Sequence, residues 1–172
     1  MVIIITGYSG SNKISIAKKI AKKLNLNFFD LHKKIEEYEM LSVPEIINSK
    51  GNVFFRKIES KFLKQIINDN KGLVLSVNEG TPCYSNNIKY IINNNIESVY
   101  LKYSIDSLLK NILNNQNILN TFPKNYTNSQ LKEYISKHLF ERRLYYNKCK
   151  IIIDCDEIRE DDIVEKILLS LN

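Results

Sequence analysis

Apolar residues open the chain as one unbroken block, residues 2–6, too short for a helix and rich in β-branched side chains. Blocks of the same kind recur at 26–30, 73–77, 98–103 and Ile151–Asp154, and each reads as a short buried strand. Between them the period changes. Ile16, Ile20 and Leu24, interleaved with Ala17 and Ala21, fall at helical spacing over Lys13–Leu24. Ser42, Pro44 and Glu45 open another helix, with a capping hydroxyl, a proline in the first turn and a glutamate that reaches back. Gly51 ends it, and a further helix runs from about 53 to 68 with Phe54, Ile58, Phe62 and Ile66 on one face. Ile105–Leu113 and residues 161–171 complete the amphipathic set. Strands alternating with helices predict an α/β fold, a five-stranded parallel sheet flanked by helices on both sides.

Residues 114–127 break this rhythm. They are rich in asparagine and almost without periodicity, and they read as a loop or short mobile segment. There is no internal repeat and no linker, so one domain over residues 1–172 is expected, with 44% hydrophobic content supplying an ordinary core. No apolar run reaches membrane-spanning length. The first residues enter a strand directly, without the charged, apolar and cleavage regions of a secretory signal, so the cytoplasm is the expected compartment and no membrane partner is expected. Cys83, Cys149 and Cys155 are odd in number and lack metal-ligand spacing, which suits reduced packing thiols. The net charge of +6 comes mostly from lysines scattered along the helices, with Arg56, Arg142, Arg143 and Arg159 the only arginines. Abundant Asn, Ile and Tyr match the codon bias of an AT-rich genome, which raises lysine without any function. The aromatics fall at core spacing, so no nucleic-acid partner is expected; a basic face for some other polyanion stays open.

The chemistry is concentrated after the first block. Gly7, Gly10, Ser11, Asn12, Lys13 and Ser15 trace a phosphate-binding loop altered in two places, with Asn12 where the second glycine belongs and Ile14 where a hydroxyl belongs. In such a loop the backbone N–H groups wrap the phosphates, the lysine reaches the β and γ oxygens, and the hydroxyl ligates Mg²⁺. Asn tolerates a left-handed backbone better than other non-glycine residues, so Asn12 can keep the loop's shape. Ile14 offers no oxygen, and neighbouring Ser15 is the remaining candidate for the metal. A plain strand–turn–helix needing Gly7 and Gly10 only for the turn is the competing reading.

Four later segments extend the pattern. Asp30 and His32 end the second strand. Gly51, Phe55, Arg56 and Glu59 lie in the following helical region, Asn78, Glu79 and Gly80 end the third strand, and residues 141–145 precede the last. With these in place the chain resembles the shikimate kinase family over nearly its whole length, and Phe55, Arg56 and Glu59 make the most specific match. The resemblance implies a single-domain P-loop kinase with ATP and Mg²⁺ as cofactors, Lys13 and Asp30 as catalytic residues, and a lid over about 114–127. It further implies that Asp30 helps hold the metal, with Ser15 beside it. A small hydroxylated carboxylate such as shikimate would lie against His32, Arg56, Gly80 and Arg142, with Glu59 orienting Arg56. Arg142 takes the late-arginine place if the register is set on Tyr146; set on Tyr145, Glu141 falls there. A monomer is expected.

The chain departs from the family pattern at Asn12, Ile14, His32, Asn78 and Glu79, and at Gln116, where the lid normally carries an arginine. Three readings follow. The first is transfer of the ATP γ-phosphate to a shikimate hydroxyl, in the route to aromatic amino acids. The second is a catalytically weak relative that binds a nucleotide or partner. The third is a kinase of another small metabolite or nucleoside. His32 itself reads equally as a substrate contact or as a polar residue starting a helix.

Overall fold

The first apolar block forms β1 (Val2–Gly7), the centre of a five-stranded, all-parallel sheet. The structure, a computed structural model, describes residues 1–171; Asn172, the last residue of the expected domain, lies outside the described residues. The chain continues through α1 (Lys13–Leu24), β2 (Asn27–Asp30), α2 (Leu31–Glu39), α3 (Val43–Lys50), α4 (Asn52–Asp69) and β3 (Leu73–Ser76). A 3-10 turn at Thr81–Cys83, α5 (Asn87–Asn93), β4 (Glu97–Lys102), α6 (Ile105–Leu113) and α7 (Gln116–Leu119) follow, then α8 (Asn128–Tyr146), β5 (Ile151–Asp154) and α9 (Glu160–Ser170). The strands lie in the order β2-β3-β1-β4-β5.

Alternation along β1 divides the core in two. Ile3 and Ile5 pack with Ile16, Ala17 and Ile20 of α1 and Ile163, Val164 and Ile167 of α9. Ile4 faces the other way, onto Leu31, Ile35, Ile46, Phe55 and Leu63 of α2, α3 and α4. A strand buried on both faces needs a continuous apolar run, which is why this block shows no polar alternation. A third, smaller cluster joins α6 to α8 through Leu108, Ile112, Leu131 and Ile135, with Tyr8 and Phe122 at its edge.

The expected strands and helices appear within a residue or two of their predicted ends. Glu45 accepts the Ser42 backbone N–H at 2.8 Å, which fixes the start of α3. Within 114–127, Asn115 caps the short helix α7, its side chain accepting from Ile118 N at 3.2 Å. Three helices had no clear sequence signal. In α2 only Leu31 and Ile35 are buried, and α5 is bounded by asparagines. In α8 Phe140 and Leu144 are exposed while Leu131 and Ile135 are buried, so its apolar residues lie on more than one face. Arg56 and Glu59 of α4 and Arg142 of α8 aside, the chemistry-bearing segments leave the carboxyl ends of β1, β2 and β3. That is the edge where open parallel sheets bind ligands, close to where the strand order reverses.

Candidate active site

The turn after β1 is held in phosphate-loop shape by its backbone. Ser11 N–H donates to the Tyr8 carbonyl at 3.1 Å, and Asn111 from α6 donates its amide to the Gly10 carbonyl at 3.0 Å. Gly10 has φ +85°, and a Cβ at Gly7 would lie 2.6 Å from the Ser11 hydroxyl, so both glycines are needed where they stand. Asn12 adopts φ 54° and ψ 23°, the left-handed conformation expected of it. Its side chain makes no capping bond, and the first turn of α1 has no acidic residue. The amide groups at the start of a twelve-residue helix are thus open to an anion, on the side where the helix dipole is positive.

Lys13 borders a cavity of about 910 Å³ together with His32, Arg56, Asn78, Glu79 and Arg142. Burial lowers its pKa, while the charges of Glu79 and Asp30 act in the opposite sense. For magnesium the donor set is thin. Ile14 supplies no oxygen, and the Ser15 hydroxyl borders the cavity while donating its hydrogen to Glu160 of α9 at 2.8 Å, which leaves only its oxygen lone pairs for a cation. Asp30 caps α2, its Oδ1 accepting the backbone N–H groups of His32 and Lys33 at 3.0 and 3.2 Å, so Oδ2 remains open. Among the described residues no cluster of three metal-ligating side chains occurs. These residues fit an ion that arrives on nucleotide phosphates and keeps most of its waters, with Asp30 as the chain's own contribution.

The opposite wall is organised by Glu59, which has no solvent exposure. Its Oε2 accepts from Arg56 at 2.7 Å, and its Oε1 accepts from the Thr81 hydroxyl at 2.8 Å and lies 3.3 Å from His32 Nε2. Burial alone would raise the Glu59 pKa, but the hydrogen bond from His32 and the Arg56 charge hold it below the ordinary value. An ionised Glu59 can only accept, so His32 carries its proton on Nε2, and its Nδ1 accepts from the Asn78 amide at 3.1 Å. Arg56 lies over the rings of Phe55 and Tyr84 at 5.0 and 4.3 Å. A Cβ on Gly80 would stand 2.7 to 3.0 Å from the Arg56 guanidinium, so a side chain here would displace that group, whereas its φ of −84° suits any residue.

Tyr146 decides the register of the late arginine. It is fully buried and donates its hydroxyl to the Glu79 carbonyl at 2.7 Å, which brings Arg142, one helical turn earlier, to the cavity and leaves Arg143 and Glu141 exposed. Arg142 sits 3.7 Å from Glu79 and 5.4 Å from the Tyr8 ring, and its Nη1 is buried with no hydrogen-bond acceptor among the described residues. Glu79 also accepts from the Ser9 hydroxyl of the phosphate loop at 2.8 Å. The cavity thus joins the expected Gly10, Asn12, Lys13, Ser15, His32, Arg56 and Arg142, whereas Asp30 and Gly80 do not line it, Gly80 lying against the Arg56 guanidinium. Sequence reasoning passed over Ser9, Thr81, Tyr134 and His138. The last two precede Arg142 at four-residue spacing, a signal available once α8 is known to be a helix.

The comparisons agree with this geometry. A family model described as Shikimate kinase matches residues 9–172. A shikimate kinase of Flavobacterium psychrophilum is 40% identical over 165 residues, covering 96% of this chain and 95% of that protein. The crystal structure of a shikimate kinase from Bacteroides thetaiotaomicron superimposes with a TM-score of 0.88 at 27% identity, covering 99% of this chain and 98% of that one. A shikimate kinase from Acinetobacter baumannii in complex with shikimate shares the fold, with a TM-score of 0.85 at 22% identity over 99% of this chain and 92% of that one. A parallel sheet in this strand order, an uncapped helix start beside Lys13, and relatives matched along almost their full length lead to one conclusion: the chain belongs to the shikimate kinase family of ATP-dependent small-molecule kinases.

Proposed function

We propose that the protein transfers the γ-phosphoryl group of ATP to a hydroxyl of shikimate, giving shikimate 3-phosphate. One observation carries this reading. A single cavity holds an open helix start with Lys13 on one side and, on the other, two arginines, one of which has a buried nitrogen without an acceptor among the described residues. A phosphate chain satisfies the first side and a carboxylate the second. In this reading residues 7–15 wrap the nucleotide phosphates through backbone N–H groups, and Lys13 draws charge from the β and γ oxygens. Magnesium held near Asp30 would supply charge neutralisation between the β and γ phosphates. Arg56, braced by Glu59, grips the substrate carboxylate with Arg142, and His32 borders the hydroxyls. One chain contains the whole cavity, which suits a monomer, and three free thiols suit a reducing cytoplasm.

Glu79 favours a second reading. Its carboxylate stands beside Arg142, where it opposes a substrate carboxylate, so a kinase of an uncharged polyol would also be served. The deciding experiment is ADP release from Mg²⁺–ATP by the purified protein, with and without shikimate, and with Lys13→Ala as control. Shikimate-dependent release that disappears in the variant is expected. Release that ignores shikimate but responds to an uncharged polyol would transfer the assignment to the second reading.

A further inference from the structure

Tyr134, His138 and Arg142 of α8 all border the cavity, and the reading above gives His138 no part. Its Nδ1 lies 3.2 Å from the Tyr8 hydroxyl, and Tyr8 belongs to the phosphate loop itself, between Gly7 and Ser9. Burial raises the Tyr8 pKa far above the ordinary phenol value, so the hydroxyl keeps its proton. The Arg142 guanidinium, which can only donate, lies against the same side chain. The guanidinium charge draws the phenol oxygen's lone pairs to its own side, and we assign the phenol proton to the bond with His138 Nδ1. That leaves the histidine proton on Nε2. Burial and the charge of Arg142 lower the His138 pKa, so at neutral pH the ring is uncharged and presents one N–H. Nε2 has no protein partner among the described residues, and the Tyr134 ring, 4.1 Å away, holds the imidazole in place.

The lid side needs such a donor. Asn117, Ile118, Thr121 and Phe122 are what residues 114–127 bring to the cavity, and none carries charge. Arg142 is already shared with Glu79. Resting on the kinase reading, we propose that His138 is a catalytic residue whose Nε2–H donates to a non-bridging oxygen of the transferring phosphoryl group, with Tyr8 as the residue that positions it. As the acceptor oxygen bonds to the γ phosphorus, the bond to the β-bridging oxygen breaks and its electron pair stays on ADP. The acceptor's proton leaves to solvent. His138 keeps its own proton throughout and acts only on the charge spread over the equatorial oxygens.

The test compares His138→Phe, which keeps a ring against Tyr134, with His138→Gln, which restores an N–H donor. For His138→Phe, kcat is expected to fall about a hundredfold with the KM for shikimate nearly unchanged. His138→Gln should recover a good part of that loss, and Tyr8→Phe should fall between them. Titration calorimetry with a non-hydrolysable ATP analogue and with ADP supplies a readout independent of any acceptor. His138→Phe should weaken the triphosphate about tenfold and leave ADP unaltered. Equal weakening of both nucleotides, a His138→Gln variant as slow as His138→Phe, or an unchanged kcat overturns the proposal. Should the wild-type protein not turn over shikimate, the kinase reading fails on its own and the two-nucleotide comparison still decides the part played by His138.

Discussion

Glu59 has no exposure to solvent, and three partners on three different segments point at its two oxygens. Glutamine in its place would remove the counter-charge of Arg56 and set an NH2 donor against a donor, so Glu59→Gln should lower unfolding stability by about 3 kcal/mol in urea titrations. Its pH dependence has a definite sign. The folded-state pKa is depressed, so the contribution is complete above the unfolded carboxylate value and is lost as pH falls through the lowered folded value. The acid limb of the stability curve should accordingly be shallower in Glu59→Gln. Glu79 gives the opposite kind of prediction. Its charge faces Arg142. Glu79→Gly should lower the KM for shikimate about tenfold, equivalent to about 1.4 kcal/mol, with a smaller change in kcat. A KM that stays put would mean that Arg142 is not read by the substrate. Arg56 and Glu59 were legible in the sequence because their three-residue spacing survives translation into a helix face. Glu79's partners were not, since Ser9 lies 70 residues away and Arg142 comes from α8.

The elements that matter most are the two turns after β1 and β3. Asn12 takes the left-handed conformation the loop requires, and Ile14 is 43% exposed at the head of α1, where it contributes little to the core. Restoring glycine and a hydroxyl together, Asn12→Gly with Ile14→Thr, should therefore raise the affinity for Mg²⁺–ATP about tenfold while the melting temperature shifts by only a few degrees. Calorimetry with and without magnesium checks it, and the gain should vanish without the ion. In the second turn, Gly80→Ala would push its new methyl group against the Arg56 guanidinium. A guanidinium is the mobile end of a long side chain, so the fold should tolerate the change while the KM for shikimate rises. Of the elements, α1 and β1 were readable because an uninterrupted period and a glycine-bearing turn are local properties. The long helix α8 was not, because its polar and apolar residues are mixed around the axis and its buried face is defined by distant residues such as Tyr8, Leu108, Ile112 and Tyr100.

At the scale of the molecule, two cores lie on either side of one sheet; Cys155 belongs to one of them, and Cys149, with half-buried Cys83 beside it, to a small cluster with Ile88, Tyr100 and Tyr146. Burial pushes the Cys83 thiol up to about 11 and those of Cys149 and Cys155 up to about 12. Thiolates are the reactive form, so an aromatic disulfide reagent at pH 8 should label the native protein slowly and all three thiols promptly in guanidinium. Rapid native labelling would show that the packing around Tyr146 and Ile153 opens easily. What the amino-acid order determined by itself was the alternation of strand and helix, the left-handed loop at Asn12, and the set of residues able to handle phosphate and carboxylate. Each depends on neighbours within a few positions. Only the tertiary structure decided that the Ser15 hydroxyl is taken by Glu160, that Tyr146 sets the register in favour of Arg142, and that His138 meets Tyr8. A hydroxyl, a guanidinium or an imidazole takes the partner that the packed fold brings within about 3 Å, and here those partners are 67 to 145 residues distant along the chain.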